Sequence, residues 1–297
     1  MIGVAVVGLG GIGLLHARNL VGHVPGARLV RVVDSARELA EDAGAELGVP
    51  WSGSYEDSLA DPDVGAVVIA TPTPLHAEMV EHAARAGTHA FCEKPLSLDL
   101  DGGRRATRSA RASGVCLQVG FQRRFDPDFA AAKRQLEAGE IGTVRLLRLS
   151  HRNRVAPHRT GLRERLGSLF VDMTIHDFDS ARWLVGEVAE VSAFSAGDTA
   201  VTVLRFERGA LGVIDNTRSA GYGFECSAEI MGSEATLRVG NHRLPLPADH
   251  IQRHRTAYLD ELRHFVECIR SGAQPCVGGD DAVAALRLCL AAERCAA

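Results

Sequence analysis

The residues with the clearest chemical signature are three glycines near the start of the chain. Gly8, Gly10 and Gly13 follow an apolar run, residues 2–7, and precede a stretch of helical composition. In a strand–turn–helix unit, this spacing allows a tight turn, close approach of a pyrophosphate and close packing of the helix on the strand. The free N–H groups of the helix N-terminus would face the phosphates. Alone the motif is weak, because glycines also mark ordinary turns.

A carboxylate strengthens the interpretation. Asp34 ends the second apolar run, residues 29–33, at the place where a dinucleotide site needs an acceptor for the adenosine ribose hydroxyls. Glycines and carboxylate together predict a dinucleotide-binding site. Because a carboxylate repels a 2′-phosphate, the pattern favours NAD over NADP. Arg37 lies close enough in the sequence to weaken that preference, so NADP stays open as the alternative cofactor.

A second candidate site lies in the other half of the chain. Asp172 and His176 are four residues apart in a segment predicted to be helical, residues 170–184, so both would face one side of the helix. Asp179 and Trp183 continue the stripe, which indicates a helix lining a polar pocket. The alternative is an amphipathic helix with a solvated polar side. An Asp/His pair at this spacing could also bind a metal, but no third ligand has suitable spacing, so no metal site is predicted.

The elements that must position these residues differ between the two halves of the chain. In the first half, apolar runs at 2–7, 29–33, 64–70, 89–92 and 115–119 alternate with helical segments, which predicts a parallel sheet of βαβ units. In the second half, helical segments accompany short alternating runs punctuated by glycines between 188 and 239, which predicts antiparallel strands. The predicted fold class is α/β, with an N-terminal Rossmann dinucleotide-binding domain (1–120). The second domain (121–297) is α/β with an open, mainly antiparallel sheet.

Composition excludes several classes of protein. The 297 residues carry a net charge of −4, too near neutral for a nucleic-acid binder. The seven cysteines form no C-x-x-C pair and are interpreted as reduced residues of an intracellular protein. The sequence has no run of 18 apolar residues, so no membrane span is expected. These features predict a cytoplasmic protein that binds neither nucleic acid nor membrane.

Seven segments in order resemble the glucose–fructose oxidoreductase / inositol dehydrogenase family of NAD(P)-dependent oxidoreductases. They are VVGLGGIGLLHARNL, ATPTPLHAEMV, AGTHAFCEKPLSL, GFQRRFDPDF, SHRNR, DMTIHDFDSARWL and GALGVIDNTRSAGYGFE. The resemblance runs through nearly the whole chain and implies the same two domains in the same order. It is nearest to the inositol 2-dehydrogenases.

The resemblance also implies roles for individual residues. Lys94 would lie beside the nicotinamide and the substrate, where its ammonium stabilises developing alkoxide charge. His176 would be the general base for the hydroxyl proton, oriented and polarised by Asp172. No metal is needed for this chemistry. The expected cofactor-binding residues are Gly8, Gly10, Gly11, Ile12, Gly13, Asp34, Ser35, Arg37, Thr71, Pro72, His76, Glu93 and Lys94.

The segment His151-Arg152-Asn153 looks like that of inositol dehydrogenases, where many other relatives carry Ser-Arg-Asp-Pro. A cyclic polyol such as myo-inositol or a related cyclitol is therefore the expected small-molecule partner, since each buried hydroxyl needs a hydrogen-bonding group. A sheet covered on one side only, as in the relatives, also predicts a homo-oligomer, a tetramer or a dimer. The expected substrate-binding residues are Arg124, His151, Asn153, Asp179 and Tyr222.

Departures from the family pattern keep the substrate open. A basic run occupies 155–165, residues 166–169 replace a glycine pair of many relatives, and the sheet region after Val191 is shorter. Alternatives are an oxidoreductase on another sugar, on an aminocyclitol, or on a phosphorylated or nucleotide-linked sugar suggested by the arginines of 159–165. A non-catalytic dinucleotide-binding regulator of the same fold is a further alternative. It should have lost the lysine or the histidine, and both are present.

Overall fold

The computed structural model describes residues 1–154, 168–240 and 246–296. The chain forms two compact units, the first comprising Met1–Phe121 and Tyr258–Val283, the second Gln122–Ala257 and Ala284–Ala297. This division differs from the single boundary predicted near residue 120, because a late segment returns to the first unit. The reason is packing. Leu262, Phe265 and Val266 of that segment are buried in one apolar cluster with strand residues of the first unit.

A six-stranded parallel sheet forms the centre of the first unit. Its order is β3-β2-β1-β4-β5-β6. Strands are added on one side of β1 up to β3 and on its other side from β4 onward, so the topological switch point lies between β1 and β4. Sheets of this kind bind ligands at that point. The predicted parallel sheet is thereby confirmed. The strands are β1 (Ile2–Val7), β2 (Ala27–Val33), β3 (Trp51–Ser52), β4 (Ala66–Ile69), β5 (His89–Glu93) and β6 (Leu117–Gly120).

Helices connect these strands, and local chemistry sets several of their ends. The carboxylate of Asp99 accepts a hydrogen bond from the N–H of Gly102 and so caps the helix that follows β5. The helix after β2 ends at Gly48, whose φ of 66° suits a residue without a side chain. The helices are α1 (Gly11–Leu20), α2 (Arg37–Leu47), α3 (Glu56–Ala60), α4 (His76–Arg85) and α5 (Leu100–Ala112).

The second unit contains the other six-stranded sheet, of order β12-β11-β7-β10-β9-β8. β7 and β10 pair in parallel and the remaining neighbours are antiparallel, which confirms a mainly antiparallel sheet. In β9 buried and exposed residues alternate strictly, as expected for a sheet with one covered face. The strands are β7 (Val144–Arg152), β8 (Val188–Ala196), β9 (Thr199–Phe206), β10 (Leu211–Thr217), β11 (Glu225–Gly232) and β12 (Thr236–Gly240).

Five helices complete the described chain. They are α6 (Pro127–Glu137), α7 (Ile175–Val185), α8 (His250–Arg253), α9 (Arg255–Ser271) and α10 (Gly279–Ala296). A π-helical turn, Phe170–Thr174, leads directly into α7, and a 3₁₀ turn, Gln122–Phe125, precedes α6. Within the described ranges, no helix is both long enough and apolar enough to cross a membrane.

Candidate functional site

The glycine-rich turn joins β1 to α1 at a point where side chains do not fit. Gly8 has a φ of 88°, and a Cβ there would lie 2.6 Å from the backbone carbonyl of Ala70. A Cβ on Gly13 would lie 1.7 Å from the carbonyl oxygen of Gly8. Gly10 instead faces open space, and as N-cap residue of α1 it supplies no side-chain cap. The helix N-terminus is thus uncovered, as binding of a pyrophosphate requires.

Asp34 is held rigidly next to this turn. Its Oδ2 accepts a hydrogen bond from the N–H of Leu9 at 2.7 Å, and its Oδ1 accepts one from the N–H of Ala36 at 2.9 Å. Each carboxylate oxygen has a second lone pair to offer. The predicted ribose acceptor therefore lies at the end of β2 in a fixed orientation beside the glycine turn.

A cavity of about 300 Å³ brings several predicted cofactor residues together. Gly8, Asp34, Ser35, Thr71 and Pro72 all line it. A cavity of this size, lined mainly by apolar atoms with a few polar groups, is typical of small-molecule sites. Tyr55 and Met79 also line it, although neither was predicted as a site residue, and the Tyr55 hydroxyl donates to the carbonyl of Met79 at 2.8 Å.

Three further predicted cofactor residues, Arg37, Gly11 and Ile12, do not line this cavity. The guanidinium carbon of Arg37 lies 5.2 Å from the ring centre of Trp51, and its side chain is largely exposed. Gly11 opens α1 and also faces open space, and Ile12 follows it in the first helical turn. The Arg37 guanidinium is therefore stacked on an aromatic ring, a contact the sequence did not indicate.

The Lys94 segment follows β5 and is held on both sides. The Glu93 carboxylate accepts from the backbone N–H of Lys94 at 3.2 Å and from Nε2 of His16 at 2.7 Å. The Lys94–Pro95 peptide bond is cis. The carbonyl of Pro95 lies 2.8 Å from Nδ1 of His76, whose Nε2 is 2.7 Å from the carbonyl of Thr71. Burial lowers the pKa of His76.

Three ionisable side chains converge behind this segment. The possible ligand atoms of His16, Glu93 and Glu261 all lie within 4.8 Å of one another. Glu261 is completely buried, and burial together with the neighbouring Glu93 raises the pKa of its carboxyl group well above the ordinary value. Sequence spacing could not reveal this cluster, because its members come from α1, β5 and α9. The prediction that no metal is needed stays a prediction.

In the second unit, Asp172 and His176 lie in the predicted helical segment, but its first turn is wider than an α-helical turn. Asp172 is in the π-helical turn and His176 is in the first turn of α7, so the α-helical spacing assumed from the sequence does not apply between them. The Asp172 Oδ2 accepts from Nη2 of Arg218 at 2.8 Å and from Nε of Arg218 at 3.2 Å. Arg218 was not predicted, although it lies in a segment that resembles the family.

A completely buried carboxylate, Asp177, organises the residues around His151. Asp177 accepts from Nη1 of Arg123 and, at 2.8 Å, from the side-chain amide of Asn216. Nδ1 of His151 lies 3.5 Å from Oδ2 of Asp177, and the ring centres of His151 and His176 are 6.1 Å apart. Burial disfavours ionisation of Asp177, but the nearby Arg123 and His151 outweigh it, so its pKa is below the ordinary value.

A second buried ion pair joins two predicted substrate residues. Arg124 donates from Nε to Oδ2 of Asp179 at 2.9 Å and from Nη2 to Oδ1 at 2.6 Å. Both side chains are almost completely buried, and the guanidinium carbon of Arg124 lies 5.9 Å from the ring centre of Trp183. This bidentate geometry fixes the orientation of both groups.

The other predicted substrate residues lie at the ends of neighbouring strands. Asn153 follows β7, and its backbone bonds to Thr217 and Ala220. Tyr222 is half exposed, and its hydroxyl accepts from Arg152 and donates to Glu225, each at 2.8 Å. The structure thus brings Arg124 to Asp179 and His151 to His176, whereas Tyr222 bonds to residues that were not predicted. The basic run of residues 155–165 lies outside the described residues.

Comparison with known proteins agrees with this architecture. Residues 2–121 match the model of an oxidoreductase family with an NAD-binding Rossmann fold, and residues 129–238 match the GFO/IDH/MocA C-terminal domain. The chain is 38% identical to scyllo-inositol 2-dehydrogenase (NAD(+)) of Bacillus subtilis, over 97% of this chain and 92% of the relative. It is 37% identical to myo-inositol 2-dehydrogenase of Thermotoga maritima, over 98% of this chain and 95% of the relative.

A solved structure is similar over the full length. It is scyllo-inositol dehydrogenase of Lactobacillus casei with bound NAD(H) and scyllo-inositol. The TM-score is 0.93 at 26% sequence identity, and the match covers 100% of this chain and 97% of the other.

The buried Asp177 generates a prediction about stability. We expect Asp177→Asn to lower the free energy of unfolding at pH 7 by about 3–5 kcal/mol, because Arg123 would then be a buried charge without its carboxylate. The pKa of Asp177 is lowered in the folded state, so its stabilising effect is present above the ordinary aspartate pKa and is lost as pH falls. The deficit of the variant should therefore stay nearly constant from pH 7 to about pH 5 and shrink only as pH falls below about pH 4.

Urea unfolding at several pH values measures this effect. Asp128→Asn is the matched control, because Asp128 is an exposed partner of Arg253 in the same unit and should change stability by less than about 1 kcal/mol. Equal stability of Asp177→Asn and wild type at pH 7 would contradict the assigned role of the buried pair.

Proposed function

Because the chain belongs to the GFO/IDH/MocA family of NAD-binding oxidoreductases, we propose that it oxidises a secondary hydroxyl of a cyclic polyol to the ketone with NAD. The polyol is myo-inositol or a related cyclitol. The observation that carries the proposal is similarity along almost the entire chain to two inositol 2-dehydrogenases, rather than to the cofactor domain alone. The presence of Lys94, Asp172 and His176 favours an enzyme over a regulator of the same fold.

The first unit fits NAD. The turn at Gly8 and Gly13 has no room for side chains, the N-terminus of α1 is uncovered, and Asp34 is fixed where a ribose acceptor is needed. When bound, NAD supplies the acceptor for the hydrogen removed from the carbinol carbon. The residues proposed to hold it are Gly8, Gly10, Gly11, Ile12, Gly13, Asp34, Ser35, Arg37, Thr71, Pro72, His76, Glu93 and Lys94.

Three side chains are proposed to carry the chemistry. His176 accepts the proton of the reacting hydroxyl, a transfer suited to an imidazole near neutrality. The ammonium of Lys94 stabilises the negative charge that develops on the same oxygen. Asp172 favours the protonated form of His176, and Arg218 fixes the orientation of the Asp172 carboxylate.

The other polar residues of the second unit are proposed to bind the hydroxyl groups that do not react. Arg124 and Asp179 present donors and acceptors in one rigid pair, and His151 is oriented by Asp177. Asn153 and Tyr222 are the further proposed contacts. A ring of such groups matches a polyhydroxylated substrate, since a buried hydroxyl without a partner lowers affinity.

A substrate screen tests the proposal. The purified protein is incubated with NAD at alkaline pH and with myo-inositol, scyllo-inositol, glucose or aminocyclitols, and NADH formation is followed by absorbance. We expect an inositol to give the highest kcat/KM. A preference for glucose or an aminocyclitol would select one of the alternative substrates, and absence of activity with every compound would favour the regulator. The cytoplasmic location stays a prediction.

Cofactor preference gives a direct prediction. We expect a higher kcat/KM with NAD than with NADP, because the Asp34 carboxylate repels a 2′-phosphate. Asp34→Ala should lower the ratio of kcat/KM with NAD to kcat/KM with NADP, mainly by raising the KM for NAD. Asp42→Ala, which removes an exposed carboxylate of α2, is the control and should leave the ratio unchanged. A wild-type preference for NADP would exclude the proposed role of Asp34.

The proposed base gives a second prediction. His176→Ala should lower kcat by roughly 10²- to 10⁴-fold with little change in the Kd of NAD, because general base catalysis has this magnitude. In wild type, kcat should rise with pH through an apparent pKa of about 6–8, since His176 must be neutral to accept a proton. The exposed His23 provides the control variant His23→Ala. Near-normal turnover in a folded His176→Ala protein would remove His176 from the mechanism.

A third prediction concerns assembly. We propose a homo-oligomer, a dimer or a tetramer, because one face of the second sheet exposes Phe194, Val201, Val203 and Leu211. Phe194, which is 76% exposed, is the most accessible of these. Light scattering at micromolar concentration should give an oligomer, and Phe194→Glu should shift it to smaller species. Leu39→Glu, on an exposed site of α2, should not. A monomeric wild-type protein would contradict the assignment.

A further inference from the structure

The carboxylate of Glu93, directly before Lys94, is held by two donors. Its Oε1 accepts from Nε2 of His16 at 2.7 Å, and its Oε2 accepts from the backbone N–H of Lys94 at 3.2 Å. A Cβ on Gly120 would lie 3.0 Å from the same Oε2, so the glycine at this position leaves room for the carboxylate. Because an ionised carboxylate can only accept, the His16 Nε2 must carry a proton.

Glu261 lies near this contact as a completely buried carboxyl group. Its side chain is completely buried, and neither carboxyl oxygen has a hydrogen-bond partner among the described residues. Its Oε1 is 4.0 Å from Nε2 of His16, too far for a hydrogen bond. Burial and the nearby Glu93 raise the pKa of Glu261 well above its ordinary value, which favours the uncharged acid.

The charge on Glu261 affects whether the Nε2–H of His16 bonds to Glu93 alone or is also attracted to Glu261. While Glu261 is uncharged, the Nε2–H of His16 bonds to Glu93 alone. An ionised Glu261 would attract that N–H and repel Glu93, since both carboxylates would then compete for one donor. Lys94 and His76 are further titratable groups beside Glu93. Tyr258 lies one turn before Glu261, with its ring 6.0 Å from that of His16.

We propose that His16 and Glu261 are positioning residues for Lys94, acting through the carboxylate of Glu93. His16 fixes the carboxylate that receives the Lys94 backbone N–H. Glu261 fills the space behind His16 without competing for its proton. The proposal rests on the proposed function in one respect, because it assigns Lys94 a role in turnover.

A pair of His16 variants separates positioning from packing. The side-chain amide of glutamine can place an N–H near the position of Nε2, whereas that of asparagine is too short. We expect His16→Asn to lower kcat by about 10- to 100-fold, the range that a small displacement of a reacting group produces. The KM for the polyol and the Kd of NAD should change by a smaller factor than kcat, because the variant displaces Lys94 without removing it. His16→Gln should restore most of the lost kcat, and His23→Asn is the control for an exposed histidine.

A Glu261→Gln variant tests the uncharged state, because an amide resembles a protonated carboxyl group but cannot ionise. We expect turnover close to that of wild type at pH 7. In wild type, kcat should fall at high pH as Glu261 ionises, and in Glu261→Gln this fall should move to higher pH or disappear. The variant should also be the more stable protein at high pH. The raised pKa means that the folded wild type binds a proton which the unfolded chain releases, so wild-type stability declines as pH rises.

Each contrary result has a distinct meaning. If Lys94→Ala turns over normally, the proposed role of Lys94 fails. If Lys94→Ala is inactive while folded His16→Asn matches wild type, only the positioning role fails. If His16→Asn does not fold, the alkaline profile of Glu261→Gln decides, and an unchanged profile overturns the proposal. Tight Zn²⁺ binding in equilibrium dialysis, lost in Glu261→Gln, would overturn it in favour of a metal site.

Discussion

The first unit depends on one steric constraint, the close approach of the turn after β1 to the chain that follows β4. A side chain on Gly8 would collide with the backbone of Ala70, and one on Gly13 would collide with Gly8 itself. The approach leaves the N-terminus of α1 open and puts the N–H of Leu9 within 2.7 Å of Asp34. The groups proposed to bind phosphate and ribose are therefore positioned by the same contact, which accounts for the two signals occurring together in the sequence.

The second unit relies instead on compensation of buried charge. Two adjacent arginines of one 3₁₀ turn, Arg123 and Arg124, pair with two aspartates of α7, Asp177 and Asp179. Removing the carboxylate or the guanidinium of a buried ion pair is strongly unfavourable, because the opposite charge then loses the group that offsets its burial. These pairs hold the turn against α7 and orient the neighbouring histidine. The geometry of the proposed substrate groups is therefore set before any ligand binds, as catalysis and specific binding require.

Local patterns predicted much of the fold and the places that Gly8, Gly13 and Asp34 take in it. Apolar runs that end in glycines or in a carboxylate depend only on residues close together in the sequence. The parallel sheet, the turn at Gly8 and the position of Asp34 could therefore be predicted. The π-helical turn at Asp172 could not, because its residue types are also compatible with an α-helical turn. Arg218 and Glu261 were missed for another reason: each meets its partners only after distant segments pack together. The same applies to α9, whose place in the first unit depends on packing against strands that are distant in the sequence.

Transfer of deuterium tests the central claim, oxidation of an inositol by NAD, most directly. Myo-inositol and scyllo-inositol carrying deuterium on the ring carbons are incubated with the protein and NAD, and the reduced cofactor is analysed by mass spectrometry. The account predicts one deuterium atom in each NADH and formation of the corresponding inosose. NADH without deuterium, or no reduction of NAD by either inositol, would contradict it.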